Sequence, residues 1–309
     1  MTRVSTLGNY QSALLDLMSA QSRGLDAQKR VSTQKVATSL EGFGRTSETL
    51  TALKSMQSRI QGFMDTGQAV ASRLATQALA FDRVADGVIG ARNAIAEALA
   101  AGRLDGLMLD LQGQFQIVQD GLNAKHQGRY LFAGANSEQA PVTALSLGQL
   151  AAAPDVASVF INDQLRSVSR IDTGTSLQTG FLADEVGSDA LTIFRELQQF
   201  HTGPDGPIDG HIPDAVRDFL TQKLGELDVA YRHVTDLAAR NGSMQNRVES
   251  VMKAHDDQRI SIEELVSKRT DADMAKAITD LELSQIAIQA SAQVISQLRR
   301  VSLLEILRY

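Results

Sequence analysis

The 309-residue chain has no cysteine and no tryptophan, only five prolines, and aromatic residues make up just 5% of it. Without cysteine, the protein forms no disulfide, thiolate zinc site or cysteine nucleophile. No segment has the long apolar run of a transmembrane helix, and the opening residues lack the apolar stretch of a secretory signal. Composition alone therefore favours a cytoplasmic protein, so an extracellular location requires export without a cleaved signal.

Sequence signals for catalysis, cofactors or metals are also lacking. The net charge is -6, and no basic face is concentrated enough to indicate nucleic-acid binding. No phosphate-binding glycine loop or G-x-S-x-G elbow occurs. No two histidines stand three or four residues apart, as a helical metal pair requires; they are His126, His201, His211, His233 and His255. We therefore expect no catalytic residue, no cofactor and no metal, and a protein that is not an enzyme.

The strongest positive pattern is a heptad repeat between residues 53 and 98. One apolar series recurs every seven residues: Leu53, Ile60, Gly67, Leu74, Phe81, Val88 and Ile95. A second series follows three positions later: Met56, Phe63, Val70, Gln77, Val84, Ala91 and Ala98. Only Gly67 and Gln77 are not apolar. Such a pattern predicts one long helix, over about 46–100, in a coiled-coil-like bundle.

Two further segments continue the bundle. Apolar residues spaced by four and three predict a helix over 104–127 that returns antiparallel to the first. A second very long helix is predicted over 212–266, with Leu220, Leu227, Val234, Val248 and Ile262 at heptad spacing. Asn241 and His255 occupy the same register. They either fix alignment with a partner helix or mark a local break that faces water.

Between these helices, residues 137–186 lose helical periodicity and gain Gly, Pro, Ser, Thr and Asp. The runs 159–161 and 165–171 around Asn162-Asp163 predict strand, turn and strand. We expect a small β-rich outer domain at the end of the rod away from the termini. A short helix is predicted over 189–200.

Both ends of the chain are amphipathic. Large apolar residues follow helical spacing over about 5–40 and 273–309, broken by glutamines such as Gln21 and Gln28. Such helices need a surface on which to bury their apolar face. The two ends either pack on each other and on the bundle, or pack into a larger assembly, and periodicity does not decide between these possibilities.

Several short motifs resemble the flagellin superfamily, and within it the hook-associated proteins that join hook to filament. Arg3-Val4-Ser5-Thr6 is similar to the opening of the family's first helix, and Tyr130-Leu131-Phe132-Ala133-Gly134 to a segment that follows its second bundle helix. The other motifs are Asn246-Arg247-Val248-Glu249, Asp271-Ala272-Asp273-Met274-Ala275, Gln289-Ala290-Ser291 and Ser302-Leu303-Leu304. Residues 41–45 depart from the family's usual Ser-Asp-Asp-Pro-like stretch.

The resemblance implies a mainly α protein: an elongated coiled-coil-like helical bundle with paired terminal helices and a small β-rich insert. Residues 1–45 and 267–309 would be the assembly domain lining an inner tube, 46–136 and 187–266 the bundle rod, and 137–186 the outer domain. The implied assembly interface comprises Leu7, Leu14, Leu17, Leu25, Ile278, Leu281, Ile288, Ile295, Leu298, Leu303 and Leu304.

The resemblance also implies partners and a location. Subunits of this kind leave the cell by type III export, often with a chaperone on the C-terminal helix. Outside, they contact other copies of themselves, a second hook-associated protein and flagellin, and they bind no nucleic acid and insert in no membrane. Two alternatives are a filament flagellin and a cytoplasmic coiled-coil scaffold unrelated to flagella.

Overall fold

A computed structural model describes the backbone of residues 2–306 and the side chains of residues 8–299. The predicted mainly α class is confirmed. The described residues form seven α-helices: α1 (Thr2–Thr33), α2 (Ser47–Ala101), α3 (Leu107–Leu122), α4 (Leu147–Ala152), α5 (Ala183–Thr202), α6 (Asp214–Thr270) and α7 (Met274–Ile306). The strands are very short: β1 (Lys125–His126), β2 (Arg129–Tyr130), β3 (Val168–Arg170) and β4 (Ser176–Gln178).

The chain divides into two compact units. The terminal unit comprises Met1–Arg59 and Gln258–Tyr309, and the bundle unit comprises Ile60–Asp257. Both divisions fall inside the long helices α2 and α6. Leu50 on α2 and Ile262 on α6 are buried within the terminal unit, so the outer turns of both long helices belong to its core.

The bundle unit is built from α2, α3, α5 and α6. Glycines bring α2 and α3 close together, because a Cβ on Gly87 would lie 2.6 Å from Val118 Cγ2 and one on Gly121 would lie 2.7 Å from Val84 Cγ2. These pairs run in opposite directions along the two helices, as predicted for residues 104–127. The first heptad series is buried from Ile60 to Ile95, including Gly67, as a bundle seam requires, and in the second series Phe63 is half-buried while the positions from Val70 to Ala91 are buried.

Polar residues at seam positions are buried and bonded. Asn241 Nδ2 donates to the backbone oxygen of Leu74 at 2.9 Å, joining α6 to α2. His255 Nε2 donates to the backbone oxygen of Ile171 at 3.0 Å, and its ring stacks on Phe63 with centroids 5.5 Å apart. Both side chains thus fix the alignment of neighbouring segments, and neither marks a break that faces water.

The insert that the structure places between α3 and α5 spans residues 123–182, whereas the sequence predicts 137–186, and it contains less strand than the sequence predicts. Strand β3 pairs antiparallel with β4, with Ser169 opposite Leu177. The apolar run 159–161 makes only a single bridge, between Phe160 and Val142, because a 3-10 turn over Ala157–Val159 precedes it. Asp155 Oδ1 accepts a hydrogen bond from Ser158 N at 2.8 Å and so stabilises that turn.

The insert shares its hydrophobic core with the helices. The Phe81 ring of α2 lies 5.4 Å from the Phe132 ring and 5.0 Å from the Phe181 ring, so both ends of the insert are packed on α2. The β3–β4 hairpin packs lengthwise on α2 and α6, where Ile171 joins a buried cluster with Leu74 and Val248. The insert therefore belongs to the same compact unit as the bundle, unlike the separate β domain that its composition predicts.

The Tyr130–Gly134 motif has a clear structural role. Leu131, Phe132 and Ala133 are buried, while Gly134 has a φ of +69°. A Cβ on Gly134 would lie 2.0 Å from Asp163 Oδ1, which accepts hydrogen bonds from Ala135 N at 2.8 Å and from Leu165 N. Glycine is the residue that tolerates both the positive φ and the close approach of Asp163 Oδ1. Gly134 therefore allows the loop after the motif to pack against Asp163.

Candidate assembly interface on the terminal helices

Helices α1 and α7 form an antiparallel pair. Residues 34–36, just after α1, lie against 270–272, just before α7: Val36 N donates to Thr270 O at 2.8 Å and Ala272 N to Gln34 O at 2.9 Å. Further along, a Cβ on Gly24 would lie 3.4 Å from Ser284 Cβ and 3.7 Å from Ile288 Cδ1. Residue numbers therefore rise along α1 as they fall along α7.

Small residues form the seam of this pair. On α1 the buried positions are spaced by three, four or seven residues; they are Ala13, Ala20, Gly24 and Ala27. On α7 the buried positions are Ala277 and Ser284. Small side chains let the two backbones approach closely, but they contribute little apolar area to the contact. The pair is therefore close-packed without burying most of its large residues.

The residues expected in the assembly interface fall into three groups. At seam positions, half-buried, are Leu17, Leu281, Ile288, Ile295 and Leu298. Exposed to solvent are Leu14, Leu25 and Ile278, with 68% of Leu25 accessible. The side chains of Leu7, Leu303 and Leu304 lie outside the described residues. Among the described side chains, those of the exposed group are the most accessible to another molecule while the α1–α7 pair stays intact.

Further exposed apolar residues lie on the same two helices and are not among the expected ones. They are Leu15, Met18, Leu283, Ile286 and Val294, of which Leu283 is 59% and Ile286 61% accessible. At about 100° per residue, 283, 286, 290 and 294 lie on the side of α7 opposite seam positions 277, 284 and 288. We name the exposed set Leu14, Leu15, Met18, Leu25, Ile278, Leu283, Ile286 and Val294 the outer stripe.

The outer stripe makes α7 apolar on two opposite sides. A helix that is apolar all round is normally buried on all sides. On α1 the stripe is distinct from a third, polar side, where Arg30 pairs with Asp26 at 2.5 Å and Arg23 Nη1 donates to Ser19 Oγ at 3.3 Å. The exposed apolar side chains of the two helices thus have the properties of an unfilled interaction site.

A polar clasp fixes the register of the pair. Lys35 Nζ contacts Asp271 Oδ1, and Ser267 Oγ donates to Asp271 Oδ2 at 2.5 Å. The hydrogen bond from Lys35, followed by that from Ser267, lowers the pKa of Asp271 to about 2 from an ordinary 3.8. Two residues later, Asp273 Oδ1 accepts from Lys276 N at 3.1 Å and caps the first turn of α7.

Acid is expected to weaken this clasp. Because the folded pKa of Asp271 is depressed, its stabilising effect is complete above pH 3.8 and is lost as the pH falls from 3.8 to about 2. Thermal unfolding followed by circular dichroism should show wild type melting above Asp271→Asn near neutral pH, with the difference vanishing by about pH 2. A difference independent of pH over this range would contradict the assigned role of the Asp271 carboxylate.

Other kinds of site are not found in the described part of the chain. Across it, no three His, Asp or Glu side chains are grouped as a metal would require. No described helix is both long and apolar enough to cross a membrane. The outer stripe is the feature of these residues that most needs a partner.

Comparison with known proteins finds a family that is similar to the part of the chain holding the α7 residues of the outer stripe. The family model of the bacterial flagellin C-terminal helical region matches residues 224–307, which span most of α6, the clasp and α7. This region resembles that of flagellins. No curated protein sequence matches the chain.

Two solved structures are similar in fold. A Vibrio parahaemolyticus protein, described as a flagellar hook-associated protein, superposes with a TM-score of 0.61 at 17% identity, covering 74% of this chain and all of that one. Bacillus cereus FlgL superposes with a TM-score of 0.54 at 15% identity, covering 70% of this chain and 98% of that one. At these identities the likeness is one of fold.

Proposed function

We propose that this protein is a structural, non-enzymatic subunit of the bacterial flagellum that assembles through its terminal helices. The observation that carries the proposal is the outer stripe. It lies partly on α7, within the region that matches the flagellin C-terminal model, and it leaves large apolar residues uncovered on a helix that already has a packed seam. Neighbouring subunits supply the missing cover.

Within the flagellum, we propose a place at the junction, linking the hook, through a second hook-associated protein, to the flagellin filament. Two features favour the junction: the fold shared with a Vibrio hook-associated protein and Bacillus FlgL, and the Tyr130–Gly134 motif in the bundle unit. A filament flagellin is the second candidate, favoured by the family model over residues 224–307.

The proposal includes a location and a layout. The subunit acts outside the cell after type III export, with a chaperone covering the C-terminal helix beforehand. The terminal helices, residues 1–45 and 267–309, line the inner tube of the assembly. The bundle helices within 46–136 and 187–266 form the next layer, and the insert over 137–186 is the outermost part.

Deleting the gene and examining cells by electron microscopy tests the proposal. We expect hooks without filaments, with flagellin released into the medium and filaments restored by the plasmid-borne gene. If filaments still form in the deletion strain, and this protein is a subunit of the wild-type filaments, the flagellin alternative would be favoured. Intact flagella and normal swimming would contradict both and favour a scaffold unrelated to flagella.

A further inference from the structure

A cleft in the bundle unit is unusually basic for this acidic protein. It has a volume of about 730 Å³ and lies between α2, the β1–β2 turn and β3. Arg73, His126 and Arg129 contribute to its wall, together with the hydroxyl residues Thr66, Ser137, Ser167 and Ser169. No Asp or Glu side chain of the described residues lines it, although the sequence holds 36 Asp and Glu residues against 30 Lys and Arg residues. The cleft is thus positively charged, although the protein as a whole is negatively charged.

Arg73 lacks a compensating partner. Its side chain is half-buried on α2, and no carboxylate of the described residues forms an ion pair with it. Burial lowers the pKa of Arg73, and this is the sole cause of the shift. A guanidinium stays charged in proteins, so an anion that approached Arg73 would offset the cost of its partial removal from water.

Neighbouring groups hold the basic wall in place. Thr76 Oγ1 donates its hydrogen to Ser72 O at 3.0 Å, so it must accept the hydrogen bond at 2.9 Å from His126 Nδ1. The His126 ring is therefore fixed in orientation beside Arg73. On the same strand as His126, Lys125 Nζ lies 4.4 Å from the centre of the Tyr130 ring, which lines the cleft.

We propose that this cleft binds a carboxylate presented by an extended acidic segment of a neighbouring subunit. The volume is much larger than a single small anion needs, since a water molecule occupies about 30 Å³ in the liquid. It suits several residues of chain, whose backbone the serine and threonine hydroxyls are placed to contact. This inference rests on the proposed function, because only an assembly provides a neighbouring subunit that can supply the acidic segment.

Peptide binding to the purified monomer tests the inference without any assembled flagellum. Isothermal titration at low ionic strength would compare tetraglutamate, tetraglutamine and inorganic phosphate. We expect tetraglutamate to bind, tetraglutamine not to bind, and added salt to weaken binding because it screens the charges. Arg73→Gln and Arg129→Gln should each reduce the affinity about tenfold, the loss typical of a charge-assisted hydrogen bond.

The matched control is Arg83→Gln, which removes the same charge from an exposed position of α2 outside the cleft and should change the affinity by less than roughly twofold. Arg129 is exposed, so its variant remains informative if Arg73→Gln proves unstable. Equal binding by all three variants would overturn the inference. Binding of phosphate alone would overturn the acidic segment in favour of a free oxyanion. Neither result bears on the gene-deletion phenotype, so the two proposals fail separately.

Discussion

Replacing Leu283 and Ile286 together by glutamate is expected to abolish filament attachment while leaving the monomer folded. Both side chains are more than half exposed, so the charges cost the free subunit little. In an assembly each would bury a carboxylate against apolar neighbours, which is strongly unfavourable without a partner charge. Each buried leucine or isoleucine also contributes about 1.5–3 kcal/mol that the variant would lose. The total loss of binding free energy is large because every subunit of the assembly has both substitutions.

Complementation of the deletion strain measures this effect. Cells that express the variant should export the protein, swim no better than the deletion strain and show bare hooks in electron micrographs. The purified variant should keep the helical circular dichroism and melting temperature of wild type. A matched control, Ser12→Glu with Ser19→Glu, adds the same charge to the exposed polar side of α1 and should restore filaments. Filaments restored by the Leu283 and Ile286 variant would contradict the role of the outer stripe.

Substitution in the seam should behave differently. Ile288 and Ile295 are half-buried at seam positions, and Ile288 reaches the backbone position of Gly24. Aspartates at these two positions are also expected to prevent filament attachment while the bundle unit stays folded. They act indirectly, because the buried charges separate α1 from α7. Loss of helical signal in the free monomer should accompany Ile288→Asp with Ile295→Asp and be absent from the outer-stripe variant.

Phe181→Ala is expected to lower the free energy of unfolding of the bundle unit by about 3–5 kcal/mol. The side chain is 2% exposed and meets Phe81 edge-on, with ring centroids 5.0 Å apart, at the point where the insert rejoins α5. Removing the ring leaves a cavity between α2 and the insert that the surrounding helices have little freedom to close.

Urea unfolding followed by circular dichroism checks this value. Leu165→Ala is the control, because Leu165 lies in the same insert but is exposed, and it should change the free energy by no more than about 0.5 kcal/mol. If Phe181→Ala unfolded like the control, the insert would be energetically separate from the bundle. That result would restore the independent outer domain that the composition of residues 137–186 suggests.

The helices of the bundle could be predicted because apolar residues at heptad positions are the ones that face the core of a bundle. Phe81, Val88 and Ile95 are apolar at every seventh position, and the structure buries all three against neighbouring helices. The insert was not predictable in the same way. Its runs at 159–161 and 165–171 are too short to separate strand from buried loop, and hydrogen bonds that backbone N–H groups donate to Asp155 and Asp163 decide the local backbone.

In the terminal helices, the sequence pattern did not distinguish the residues of the α1–α7 contact from the exposed apolar residues. A search for large apolar residues at helical spacing finds Leu17, Ile288 and Ile295, but it mixes the seam with the outer stripe. The seam of α1 consists mainly of Ala13, Ala20, Gly24 and Ala27, which such a search does not weigh. Once these small residues are assigned to the α1–α7 contact, the large side chains of Leu15, Met18 and Leu25 remain more than half exposed in the described part of the subunit.

Ordering the terminal helices is costly for a free subunit. Fixing one backbone residue costs about 1–2 kcal/mol, and a single pair joined through alanine and glycine buries little apolar area to offset it. Neighbouring subunits that cover the outer stripe would add about 25 cal/mol for each Å² buried. We therefore expect α1 and α7 to be helical but only marginally stable in the free subunit and to become fully stable on assembly, while the bundle unit is stable beforehand.

Amide hydrogen exchange on a verified monomer tests this central claim most directly. We predict fast exchange over residues 1–33 and 274–306 and slow exchange over 60–98 and 216–257, with the terminal amides becoming protected only in the assembled junction. Strong protection of both terminal helices in the monomer, unchanged on assembly, would contradict the account. The α1–α7 pair would then be complete without neighbours.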